Sequence, residues 1–207
     1  MLNNVSYFIF PHFFVKIRSI GGEIMNLPNI KILDESNKIL RTKSKEVSFP
    51  LSEEDQKIIK DSLDYLEMSQ IDETREKYNL RAGMGLSFIQ LGIAKKIFVI
   101  SEEIDENKFE RYVIINPKII SKSEELIFVG EGEGCLSINR EIDGIVPRHA
   151  RITVEAFDEN GDLFDLRVRE DMSVAFQHEL DHLDGILFID RIDKKNPYKN
   201  QNNMREI

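Results

Sequence analysis

Cysteine occurs once in this chain of 207 residues, at Cys135, so no intrachain disulfide can form and a reducing cytoplasm is the expected home. Long apolar runs are missing too. The most apolar segment, "VSYFIFPHFFVKI" at 5–17, is shorter than the roughly 20 residues that cross a bilayer, and Pro11 and His12 break it. No positive charge precedes it, since "MLNN" comes first and Lys16 and Arg18 follow the apolar stretch, which argues against a secretory signal and a membrane role. Basic residues are outnumbered, 28 Lys and Arg against 37 Asp and Glu, and the net charge of −9 argues against broad attachment to nucleic-acid phosphates as the main task. No sequence-specific nucleic-acid partner is expected. Internal repeats, linkers and low-complexity tracts are absent, so nothing divides 28–193 into two domains.

Against these absences stand 41% hydrophobic residues and 13 phenylalanines, enough for a buried core in a chain of this length. Residues 1–27 are read as an apolar N-terminal extension. "GGEIM" at 21–25 has the composition of a translated ribosome-binding sequence ahead of a start at Met25, so the hypothesis is that 1–24 are not native protein. A peptide upstream of Met25 in the mass spectrum of the natural protein would sink it. The last segment, 194–207, is a polar tail expected to fray.

Within 28–193, "PLSEEDQKIIKDSLDYLEM" predicts a helix. Ser52 is a good N-cap, Glu53, Glu54 and Asp55 suit the positive end of the dipole, and Ile58, Ile59, Leu63 and Leu66 repeat at helical spacing. Residues 69–82 are polar and read as a loop. From 96 to 170 the pattern turns to strands, with "KIFVI", "YVIINPKII" and "ELIFVG" as β-branched and aromatic runs. "RITVEAFDENGDLFDLRVRE" predicts a hairpin with Asn160-Gly161 at its turn. The expected fold is α+β, with antiparallel or mixed sheets around a C-terminal metal-binding helix and one additional N-terminal helix.

That C-terminal helix carries "FQHELDHLDG", with two of only four histidines. Asp171 is its expected N-cap and Gly185 its expected left-handed stop. His178 and His182 fall on one face a turn apart, where two imidazoles reach one metal ion, and Glu179 stands close enough to act on a bound water. Such sites usually need a third protein ligand. His12 and His149 are poor candidates and the carboxylates are too many to choose among. Cys135, in "EGEGCLS" with Gly132 and Gly134 freeing the backbone, is a candidate, though a single cysteine is also often a small buried hydrophobe.

Three segments in order, "GMGLSFIQ" (83–90), "EGCLS" (133–137) and "QHELDH" (177–182), resemble the signature motifs of the peptide deformylases. The resemblance runs from about Ile30 through Asp193, includes "LR" at 40–41 and "INP" at 115–117, and is nearest the branch common in Gram-positive bacteria. It implies that Cys135, His178 and His182 hold one divalent metal, iron(II) by family habit, although the ligand types also suit zinc, nickel or cobalt. It further implies that Glu179 moves a proton between water and the leaving amine of an N-formylmethionyl nascent peptide, releasing formate. Gln90 and the backbone N–H of Leu136 are then the donors to the developing oxyanion. Gly85 is expected to pair with the extended substrate, and Met84, Val174 and Ala175 to line its methionine pocket, with plain core packing as the competing reading for those three. Asp181 is read as a support that orients a ligand or a nearby basic group, and Glu133 as a partner of Arg148. Transient ribosome contact is a further expectation.

One departure stands out. Where the family usually has two small residues, this chain has Ser87 and Phe88, and the phenylalanine is expected to add bulk beside the oxyanion donor. Two other functions compete: an endopeptidase built on the same helix, and a catalytically silent peptide-binding member. Assays of formyl-Met peptides against internal peptide bonds separate the first, and formate release excludes the second.

Overall fold

The computed structural model describes residues 16–19 and 27–207. The proposed start at Met25 lies outside the described residues. Among the described residues the main sheet has six strands: β1 (Lys16–Ser19), β2 (Gly85–Ser87), β3 (Ile97–Asp105), β4 (Lys108–Lys122), β7 (Arg151–Phe157) and β8 (Leu163–Arg169). They run in the order β2-β3-β4-β7-β8, all pairs antiparallel, with β1 also paired to β4. A second sheet holds β5 (Leu126–Phe128) between β6 (Arg148–His149), antiparallel, and β9 (Arg205–Glu206), parallel. The expected α+β architecture with antiparallel and mixed sheets is therefore present.

The middle of the main sheet is buried on both faces, and the first half of β3 shows why its sequence looks as it does. Ile97, Phe98, Val99 and Ile100 are all fully buried. Successive strand residues point to opposite sides, so Ile97 and Val99 enter one core while Phe98 and Ile100 enter the other. Helix α1 (Glu53–Gln70) closes the first core with Ile59, Leu63 and Leu66. Helix α3 (Glu170–Leu183) closes the second with Met172, Phe176 and Leu183. The N-cap of α1 is as read: Ser52 accepts from the Asp55 N–H at 3.1 Å.

Four details differ from the sequence reading. Residues 72–78, taken as loop, form helix α2 (Asp72–Tyr78), with acidic residues in its first turn, basic ones in its last and Asn79 in the left-handed conformation as its stop. The hairpin turn is wider than an Asn-Gly pair, because Asp158 and Asp162 bond across it and only Gly161 takes positive φ, at 88°. Helix α3 starts at Glu170, straight out of β8, so Asp171 lies in the first turn rather than at the cap. A positive φ of 51° at Glu170 makes that bend, while its N–H still donates to the Ala150 carbonyl. Finally, the tail is anchored: β9 pairs with β5, Ile207 packs against Ile127 and Val174, and Arg205 grips Glu170 with two hydrogen bonds of 2.8 Å.

Candidate metal centre

Helix spacing puts His178 and His182 on one side of α3 with ring centroids 4.9 Å apart, and Gly185, at φ 75°, ends the helix as expected. The loop between β5 and β6 brings Cys135 to them, with its Sγ 3.3 Å from His182 Nε2. One ligand atom from each of Cys135, His178 and His182 lies within 4.8 Å of the others, and all three residues are nearly inaccessible. Among the described residues this is the one such His, Cys and carboxylate group. His149 lies elsewhere, its Nδ1 2.7 Å from the Ser123 carbonyl.

The surroundings fix these ligands. His178 Nδ1 sits 2.9 Å from Glu133 Oε2, which turns Nε2 towards Cys135. Arg148 bonds Glu133 at 2.7 and 2.9 Å and Asp181 at 2.7 Å, and Arg191 bonds Asp181 from outside. The Glu133–Arg148 pair and the support by Asp181 are thus present, and Asp181 orients the basic group rather than a ligand. Burial favours the neutral form of Glu133, yet Arg148 and His178 hold its carboxyl down at about 2. Burial also opposes charge on His178, but hydrogen bonds to Cys135 and Glu133 outweigh it and hold the imidazole up at about 10. Burial, with the positive charges of His178 and Arg148, keeps His182 well below its ordinary value. A divalent cation would need these same side chains deprotonated, so it would compete with protons for them. A buried thiol and two imidazoles suit such an ion, so the residues present fit a metal.

The ligands open onto a cleft of about 320 Å³ lined by Met84, Gly85, Gln90, Leu136, Val174, Ala175 and Glu179 as well. Gly85 allows a close approach: a Cβ there would stand 2.6 Å from Glu179 Oε1, and the carboxylate would have to shift. Gln90 accepts from the Ser87 N–H at 2.9 Å and points its Nε2 to Ser137 Oγ at 3.2 Å and Cys135 Sγ at 3.7 Å. Burial raises the Glu179 carboxyl, opposed by the charge on His178 and a hydrogen bond from Ser87. Met84 and Ala175 also pack on the α3 core and Val174 on the β5 core, so wall and packing coincide in them. Phe88 is fully buried against α1 and does not line the cleft; its bulk goes into the core.

Sequence reasoning missed Arg81. Its guanidinium donates to the carbonyls of Cys135 at 2.9 Å, Leu136 at 3.0 Å and Ile138 at 2.7 Å. A trans peptide aims its N–H opposite its carbonyl, so the Leu136 N–H points away from the Cys135 oxygen that Arg81 holds. An arginine two residues ahead of "GMGL" was the available signal.

A thiol and two helix-borne imidazoles around one point, with a buried carboxylate beside them, define a metal-binding hydrolase. The profile of the polypeptide deformylases matches residues 30–198, and the chain belongs to the peptide deformylase family. Peptide deformylase from Halalkalibacterium halodurans is 46% identical over 173 residues, covering 83% of this chain and 95% of that one. The enzyme from Listeria monocytogenes is 43% identical over 166 residues, covering 80% and 91%. Both are Gram-positive bacteria, in keeping with the branch that the motifs resemble. Among solved structures, peptide deformylase from Thermotoga maritima aligns with a TM-score of 0.63 at 30% identity, over 79% of this chain and 97% of that one. A Met-Ala-Ser-bound deformylase from Acinetobacter baumannii aligns at 0.61 and 26% identity, over 79% and 98%.

Proposed function

We propose that this chain removes the formyl group from N-formylmethionyl nascent peptides in the cytoplasm, with iron(II) held by Cys135, His178 and His182. One observation carries the reading: the buried carboxylate of Glu179, the amide of Gln90 and the ligands Cys135 and His178 line one cleft, with the third ligand, His182, grouped against those two. The metal, when bound, supplies the Lewis acidity that makes water nucleophilic near neutral pH. Glu179 takes a proton from that water as its oxygen adds to the formyl carbon. Negative charge gathers on the former carbonyl oxygen, where Gln90 Nε2 and the Leu136 N–H donate. The carbon–nitrogen bond then breaks, Glu179 passes its proton to the amine, and formate and a free N-terminus leave.

Gly85, at the end of the edge strand β2, offers backbone to an extended substrate, and Met84, Val174 and Ala175 form the apolar wall for its first side chain. The Met-Ala-Ser peptide bound by the Acinetobacter baumannii relative is a deformylated sequence of the kind this reaction releases. Among the described residues no helix is long and apolar enough to cross a membrane. In the tail, Lys199 pairs with Asp193 and Arg205 with Glu125 and Glu170, so these two charges hold the fold together. Formate release from formyl-Met peptides by iron(II)-loaded protein, abolished in Glu179→Ala with metal content unchanged, is the expected result. An active Glu179→Ala protein would overturn the assignment.

A further inference from the structure

Residues two apart on a strand point the same way, so Gly85 and Ser87 of β2 share a face, and that face meets Glu179. Gly85 contributes no side chain and lies against Glu179 Oε1. Ser87 contributes a hydroxyl 2.6 Å from Glu179 Oε2 and 3.2 Å from the Glu179 main-chain oxygen. A hydroxyl has one hydrogen to donate, and the shorter contact to a carboxylate oxygen takes it. Ser87 is fully buried and Glu179 is 4% exposed, which shelters this bond from bulk water. The departure at Ser87 therefore adds a donor, not bulk.

We propose that Ser87 is a positioning residue for the reaction: its hydroxyl occupies Glu179 Oε2 and so commits Oε1, the oxygen over Gly85, to proton exchange with water and the leaving amine. The proposal rests on the reading of Glu179 as proton carrier. A carboxylate held at one oxygen loses rotation about its last bond, and one fixed oxygen then serves both transfers. The Ser87 N–H also donates to Gln90 Oε1 at 2.9 Å, which turns Gln90 Nε2 towards the cleft. One residue thus holds the proton carrier with its side chain and the oxyanion donor with its backbone, at a fixed separation.

The test is Ser87→Ala, assayed on a formyl-Met peptide in the iron(II) form and by infrared spectroscopy in the metal-free form. The expected kcat falls roughly tenfold while KM and metal content stay near wild type. The infrared carboxyl band that disappears in Glu179→Gln is expected to shift in Ser87→Ala, because it has lost a hydrogen bond. An unchanged kcat, an unmoved band, or a loss that appears only in KM or metal content overturns the proposal. If Glu179→Gln itself stays active, the proton-carrier reading fails first. An inactive Glu179→Gln beside a fully active Ser87→Ala overturns the positioning role alone.

Discussion

Two arginines in this protein, Arg148 buried and Arg111 partly buried, make nearly the same bonds and serve different ends. Arg111, on β4, bonds Asp64 at 2.7 Å and Glu67 at 2.8 Å beneath α1. Arg148, on β6, bonds Asp181 at 2.7 Å and Glu133 at 2.7 and 2.9 Å beneath α3. Each guanidinium joins a strand to a helix or loop through two carboxylates removed from water. The difference lies in where the further contacts lead: Asp64 also bonds Lys60 on the same helix, whereas Glu133 Oε2 meets the metal-centre residue His178 at Nδ1, 2.9 Å away. A buried ion triad is neither functional nor structural by its own chemistry; what its carboxylate's second partner does decides.

Removing each arginine should separate the two triads. Arg148→Met leaves Glu133 and Asp181 buried with only His178 and Arg191 beside them, so a loss of about 3 kcal/mol in stability is expected, with metal affinity down roughly 10–100-fold. Denaturant unfolding and competition with a chelator measure both. Retention of wild-type metal affinity would erase the distinction drawn between the triads.

Arg111→Met is expected to cost about 3 kcal/mol in unfolding while activity per bound metal stays at the wild-type level. Its pH dependence sharpens the point. Burial raises the Asp64 carboxyl, but Lys60 and Arg111 outweigh it and hold it below its ordinary 3.8. A depressed carboxyl stabilises the fold fully above 3.8 and loses that contribution as pH falls through the lower folded value. The stability gap between wild type and Arg111→Met should narrow on acidification below 3.8, as followed by urea midpoints. The smallest effect is expected at the rim. Arg191 is 45% exposed where it meets Asp181, so Arg191→Ala should cost under about 1 kcal/mol and leave metal content unchanged.

Much of this was legible in the chain because it is local. The spacing of His178 and His182, the Ser52 cap, the Gly185 stop and the strand runs depend on neighbours a few residues away, and helix and strand periodicity report them directly. Helix α2 is legible too: acidic residues first, basic residues last and Asn79 behind them outweigh the polarity that suggests a loop. The triad under α1 had a fainter trace. Asp64 and Glu67 follow Leu63 and Leu66 by one residue, so they flank the apolar stripe and predict a buried cation, but not which one.

By itself the sequence determined the metal-binding face of α3, the strand-rich middle and the α+β class, since these follow from period and residue type within single elements. Motif resemblance then tied Cys135 to the histidines. Only the tertiary structure decided that Ser87 meets Glu179 across 92 positions, that Phe88 enters the core instead of the cleft, and that β9 joins β5. Those outcomes depend on which faces of distant elements meet. A one-residue change in strand register reverses every such facing, so no window along the chain contains the answer.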